Sequence, residues 1–188
     1  MKTRNFLSAI AITGLLLVSG ATFAQKEMTK KVGGAEMYPS KNIVENAVNS
    51  KDHTTLVAAV KAAGLVETLQ SKGPFTVFAP TNAAFDKLPK GTVENLLLPE
   101  NLKTLQTVLT YHVLAGKFSA ADIVKAIAGG KGKATFKTVS GGTLTASLKG
   151  KDVILTDENG NSSKVTIADV NQSNGVIHVV DTVVLPKS

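Results

Sequence analysis

The sequence predicts a single α+β domain with a mostly antiparallel sheet, helical in its first half and hairpin-rich in its second. Three observations lead there. From Ile43 to Ala128 the apolar residues recur at helical spacing. Beyond Gly129-Gly130 they fall into short strand-like runs divided by glycine turns. Between the helical stretches, residues 73–85 read GPFTVFAPTNAAF and encode strand, stop and helix start in one piece. Phe75 to Ala79 are strand formers. Pro80 has no N–H for a ladder, and Thr81 or Asn82 can cap the helix that Ala83, Ala84 and Phe85 open.

The chain begins with Lys2 and Arg4, followed by an apolar run over 6–18 and the small residues Thr22 and Ala24. This is the layout of a secretory signal peptide over 1–24. The apolar run is shorter than the roughly 20 residues that cross a bilayer, so no membrane span is expected. No cysteine follows, so no lipid anchor is expected either. Residues 25–37 mix lysine and glycine without a period and read as a flexible leader. That leaves the domain over 38–186.

Ser40 is a plausible cap for a helix carrying Ile43, Val44, Ala47 and Val48. Asp52 can cap the next, whose stripe is Leu56, Ala59, Val60 and Ala63. A short helix spans 92–98. A longer one spans 101–114, with Leu102, Leu105, Leu109 and His112 on one stripe and Tyr111 beside it. Ser119 caps a helix over 120–128. Strands follow at 134–139, 143–148, 153–156, 164–170 and 175–185. Asn159-Gly160 is a hairpin turn, since both residues tolerate positive φ. In the last strand Val176, His178 and Val180 face one side, and Ile177 and Val179 the other.

The composition narrows the function. Once residues 1–24 are removed the chain keeps 19 Lys, no Arg and 14 acidic residues, a net charge of +5, and no cysteine. Without disulfides its core alone must hold it, and its length suits one domain. The lack of arginine argues against nucleic acid, where bidentate contacts to phosphate and guanine are the rule. Lys131, Lys133, Lys137, Lys149, Lys151 and Lys164 crowd the second half. They keep exposed strand edges soluble or serve an anionic polymer.

No catalytic pattern emerges. His53, His112 and His178 lack the spacing of a metal site. Ser140 stands before a glycine turn rather than on a nucleophile elbow. Asp157-Glu158 sit in a turn and read as solvated. Gly129-Gly130-Lys131-Gly132 lacks both the preceding strand and the ending of a phosphate loop. His112, on an apolar stripe, reads as a buried neutral imidazole that locks the helix end onto the sheet.

GPFTVFAPTNAAF, then LTYHVLAGKF over 109–118, then NGVIHVVDTVVLP over 174–186 resemble, in order and spacing, the three signature segments of the fasciclin-like domain family. The resemblance implies a wedge-shaped antiparallel β-sandwich with helices packed alongside. It implies a role in adhesion or matrix interaction, with no enzyme activity, no cofactor and no metal. Two binding segments carry over from animal members. One is Tyr111-His112 with Val113 and Leu114. The other is Asp169-Val170, where Ile167 and Ala168 replace a Glu-Pro pair and Val170 replaces Ile. The expected protein is an exported, extracellular or periplasmic monomer that meets an envelope protein or polysaccharide. The alternative is a carrier of a small ligand or lipid in an apolar gap between helices and sheet.

Overall fold

The computed structural model describes residues 28–187. The expected signal peptide therefore lies outside the described residues.

The flexible leader expected over 25–37 is corrected where it is described. Lys30–Val32 (β1) pairs antiparallel with Ala35–Met37 (β2). Gly33 at φ +57° and Gly34 at +81° make the turn, a conformation only glycine adopts freely. Val32 and Met37 are both 2 % exposed, so the hairpin is fastened by burial. Strands of three residues are too short to show an alternation in the sequence.

Ile43–Ala47 (α1) starts with a capping box. The Glu45 N–H donates to Asn42 Oδ1 at 3.0 Å, and the Asn42 N–H donates back to Glu45 at 2.8 Å. The cap is thus Asn42, not Ser40. Thr54–Ala62 (α2) does not use Asp52. Its Thr55 N–H donates 3.0 Å to Oδ1 of Asn82, far along the chain. Val66–Gln70 (α3) follows Gly64, which has φ +67°.

Phe75–Pro80 (β3) is followed by Asn82–Phe85 (α4), and Thr81 accepts from the Ala84 N–H. Thr92–Leu96 (α5) leads to Leu102–Tyr111 (α6). The helix expected to reach residue 114 stops at Tyr111, because Val113–Ala115 (β4) pairs antiparallel with β3. Ala120–Gly129 (α7) has a capping box from Ser119 and Asp122.

Lys133–Lys137 (β5), Thr143–Lys149 (β6), Asp152–Thr156 (β7), Ser162–Gln172 (β8) and Gly175–Val180 (β9) complete the strands of the described residues. The β7–β8 turn has positive φ at Gly160 only. Asn159 contributes hydrogen bonds instead of a left-handed backbone.

The seven-stranded sheet runs β4-β3-β9-β8-β7-β6-β5. Its neighbours are antiparallel except for the second and third strands in that order, where β3 and β9 run parallel from Phe75↔Gly175 to Pro80↔Val180. The antiparallel expectation is corrected there: strands so far apart in sequence are not bound by hairpin geometry. β8 carries two register shifts against β9. Its first residues pair with β7 and the remainder with β9, so it joins an inner limb (β4, β3, β9) to an outer limb (β5, β6, β7).

Alternation on the inner limb feeds two cores. Val77, Ala79, Ile177 and Val179 pack with Leu56, Leu105 and Leu109 of the helices. Phe78 and Val180 face the other way, onto Leu144 and Leu155 of the outer limb and Ile123 and Ile127 of α7. Each such leucine or isoleucine contributes about 2 kcal/mol by leaving water.

Candidate functional site

Two segments were expected to bind, and the sheet holds them apart. Tyr111 to Leu114 span the α6–β4 junction at one edge, whereas Asp169 and Val170 lie on β8. Three strand steps separate β4 from β8, about 14 Å at ordinary strand spacing.

The first segment is interior. Tyr111 is 0 % exposed, His112 3 %, Val113 5 % and Leu114 1 %. The Tyr111 hydroxyl donates to the Thr143 carbonyl at 2.6 Å and accepts the Glu158 N–H at 3.2 Å. It thereby ties α6 to the two outer turns. Burial pushes its ionisation up to about 12. His112 Nδ1 lies 2.8 Å from the Val108 carbonyl, and its Nε2 accepts the Val184 N–H at 3.2 Å. The proton therefore sits on Nδ1. Burial pushes this imidazole down to about 4, against smaller opposing pulls from the Val108 carbonyl and Asp157.

The second segment is a bend. Asp169 has φ +55°, an uncommon backbone that Asp and Asn tolerate best. Its Oδ1 accepts the Ala120 N–H at 2.7 Å, which fixes the start of α7. Its own N–H donates to His178 Nδ1 at 3.3 Å, and His178 Nε2 donates to the Phe118 carbonyl at 2.8 Å. Burial lowers the His178 pKa. Val170 is 0 % exposed. His112 and His178 thus have both ring nitrogens engaged, and neither offers a lone pair or proton to an outside molecule.

The remaining candidates serve the fold. Ser140 Oγ bonds to Thr138 Oγ1 at 2.9 Å. The solvated reading of Asp157-Glu158 is corrected for Asp157, which is 6 % exposed. Asp157 accepts from the Asn159, Asn161 and Leu185 N–H groups and from Asn161 Nδ2. Glu158 is exposed but accepts from the Thr143 and Lys187 N–H groups. Among the described residues, no group of three or more His, Cys, Asp or Glu is placed to hold a metal ion, and no helix is long and apolar enough to cross a membrane.

Sequence reasoning passed over Asn174. It is buried, and its Oδ1 accepts the Ile43 N–H at 3.1 Å while its Nδ2 donates to the Leu69 and Ser71 carbonyls, both at 2.8 Å. One side chain joins α1, α3 and the entrance to β9. Only its place at the head of NGVIHVV hints at this.

The outer limb presents the lysines. Lys133 opens β5 opposite Ser147, Lys149 closes β6, and Lys151 stands in the turn to β7, so with Lys131 they gather at one end. All four are exposed. Among the described residues none of the four forms an ion pair, whereas Lys164 meets Asp152 at 2.7 Å.

The Fasciclin domain family model matches residues 51–186. Protein sll1483 of Synechocystis sp. is 45% identical over 191 residues, covering 99% of this chain and 99% of its own. Cell surface glycolipoprotein MPB83 of Mycobacterium bovis is 34% identical over 145 residues, covering 74% of this chain and 58% of its own. Among solved structures, the FAS1 domain pair of the insect cell adhesion molecule fasciclin I aligns with a TM-score of 0.70 at 17% identity, over 79% of this chain and 52% of that one.

Proposed function

The chain belongs to the fasciclin-domain family, and on that premise we propose that it is an exported, non-enzymatic interaction domain working at a cell surface or in the space around it. The observation that carries this reading is the lysine cluster at one end of the outer limb. Lys131, Lys133, Lys149 and Lys151 are exposed and unpaired among the described residues. The partner that fits them is an anionic polymer of the envelope or matrix, held by many weak contacts. Tyr111-His112 and Asp169-Val170 contribute from below, by keeping both limbs rigid. The cell-surface and cell-adhesion names of the relatives support the same class of role.

The test is binding of the purified protein to anionic and neutral envelope polysaccharides at low and high salt. The expected result is binding to the anionic polymer that weakens steeply with salt, because exposed charges are screened over about 8–10 Å. Changing the four lysines to glutamine should weaken it at least tenfold. Binding that ignores both salt and the lysines overturns the polymer reading.

A further inference from the structure

The acceptor pattern for an N-linked glycan is Asn-x-Ser or Asn-x-Thr with no proline between. It occurs twice in the chain, as Asn161-Ser162-Ser163 and as Asn171-Gln172-Ser173. The fold treats the two differently.

The first is spent on the structure. Asn161 Nδ2 donates to Asp157 Oδ2 at 3.1 Å, the same oxygen that accepts the Leu185 N–H at 3.0 Å. Ser163 is 1 % exposed, and its hydroxyl donates to the Thr182 carbonyl at 2.7 Å. A sugar on Asn161 would crowd the turn that holds the end of the chain.

The second faces solvent. Val170 and Gln172, on either side of Asn171, are both buried. Gln172 accepts from Asn46 Nδ2 and donates to the Val170 carbonyl at 3.1 Å. Strand alternation therefore turns Asn171 outward, and both Asn171 and Ser173 are exposed. Among the described residues neither of these two side chains is held by a hydrogen bond. Asp169 stands two places before Asn171, whereas Asn159 stands two places before Asn161. Bacterial transferases of this class ask for an acidic residue at that place, so the second site also meets the stricter pattern.

We propose that Asn171 is the acceptor of an N-linked oligosaccharide, attached before β9 pairs with β8. The proposal rests on the export reading, because such transfer acts on chains that enter the export space. The donor class is a polyprenyl-diphosphate oligosaccharide. Asn171 Nδ2 attacks the anomeric carbon, and a C–N bond forms as the C–O bond to the diphosphate breaks. The polyprenyl diphosphate leaves with that electron pair, and the amide proton passes to a base of the transferase. In the folded chain Asn171↔Val176 and Gln172↔Gly175 hold the acceptor in the β8–β9 ladder, so the enzyme must reach it earlier. The sugar then projects from the inner limb, beside the Lys41 carbonyl that accepts the Ser173 N–H at 2.9 Å. The lysines of β5 and β6 stay free on the outer limb.

The test is cell-free synthesis of the full chain with a purified bacterial oligosaccharyltransferase and a polyprenyl-diphosphate heptasaccharide. The enzyme is present from the start or added after folding, and tryptic peptides are weighed and fragmented. Peptide 165–187 should carry the heptasaccharide on Asn171, and peptide 152–164 should carry none. Late addition should lower the yield at least tenfold. Asn171→Gln and Ser173→Ala should abolish transfer, and Asp169→Asn should reduce it at least tenfold. No sugar on Asn171, sugar on Asn161, or equal transfer after folding overturns the proposal. The reaction needs no export, so its failure strikes the acceptor alone. Transfer here to a chain that cells do not export would support the acceptor and sink the export reading.

Discussion

His112 Nε2 accepts the backbone N–H of Val184 at 3.2 Å, across 72 positions of sequence. The bond requires a neutral ring, because a proton on Nε2 would face the Val184 donor. Burial already holds this pKa down to about 4. The unfolded chain takes up that proton near pH 6.5, so it binds more protons than the folded state between the two values. The stabilisation is therefore present above about pH 6.5 and is lost as pH falls towards 4, on the order of 3 kcal/mol in all. His53 and His178, both lowered by burial, act in the same direction. Urea unfolding from pH 7 to 4 should show the decline. His112→Ala should lower stability at pH 7 and flatten the slope; an unchanged slope would remove His112 from the account.

Gly142 should not tolerate even a methyl group. A Cβ there meets Tyr111 Cε2 at 2.7 Å, and that ring is 0 % exposed. Gly142→Ala should cost about 1–3 kcal/mol by overpacking. In a Tyr111→Leu background the added cost should shrink. Denaturant midpoints of the four chains give the coupling, and strict additivity would refute the contact.

Asn174→Ala should cost about 3 kcal/mol, since it leaves the Ile43 N–H and two carbonyls without their partner. Hydrogen exchange should become faster first at Ile43 and Phe75, whose amides meet the Asn174 side chain and carbonyl. Unaltered exchange at both amides would show that the junction holds without it.

Asp169→Asn should be close to neutral, within about 0.5 kcal/mol, because asparagine keeps an oxygen for the Ala120 N–H and tolerates the left-handed backbone. Asp169→Ala fails on both counts and should cost about 1–2 kcal/mol. Thermal melts of the two variants separate the outcomes. Equal melting temperatures would mean that neither the bond nor the backbone matters at this bend.

Much of the fold was legible because it is local. The apolar stripe of α6, the Ser119 cap, the glycine-bounded hairpins of the outer limb and the strand-stop-helix of GPFTVFAPTNAAF each declare themselves within a few residues. Tyr111 and His112 stand at a helix end as the pattern implies. What stayed hidden depends on distant partners. Val113–Ala115 continues the helical stripe in sequence and becomes a strand only because β3 lies beside it. Asp157 and Asn174 look like ordinary loop residues and Asn82 like a cap for its own helix, and nothing nearby names the amides that they bind. His53 reads as a helix-start residue, and its burial emerges only when the elements around it are assembled.

The parallel β3–β9 ladder joins residues one hundred positions apart, Phe75 with Gly175 and Pro80 with Val180. It seats β9 between β3 and β8, so β4 and β3 stay unjoined to β8 and the outer limb until the end of the chain is in place. A nascent polypeptide can form α6 or the β5–β6 hairpin early, but it cannot close this ladder before residue 180 is available. Closing so long a loop is entropically costly and slow. The chain is thereby timed to remain open through most of its synthesis and to lock in one late step.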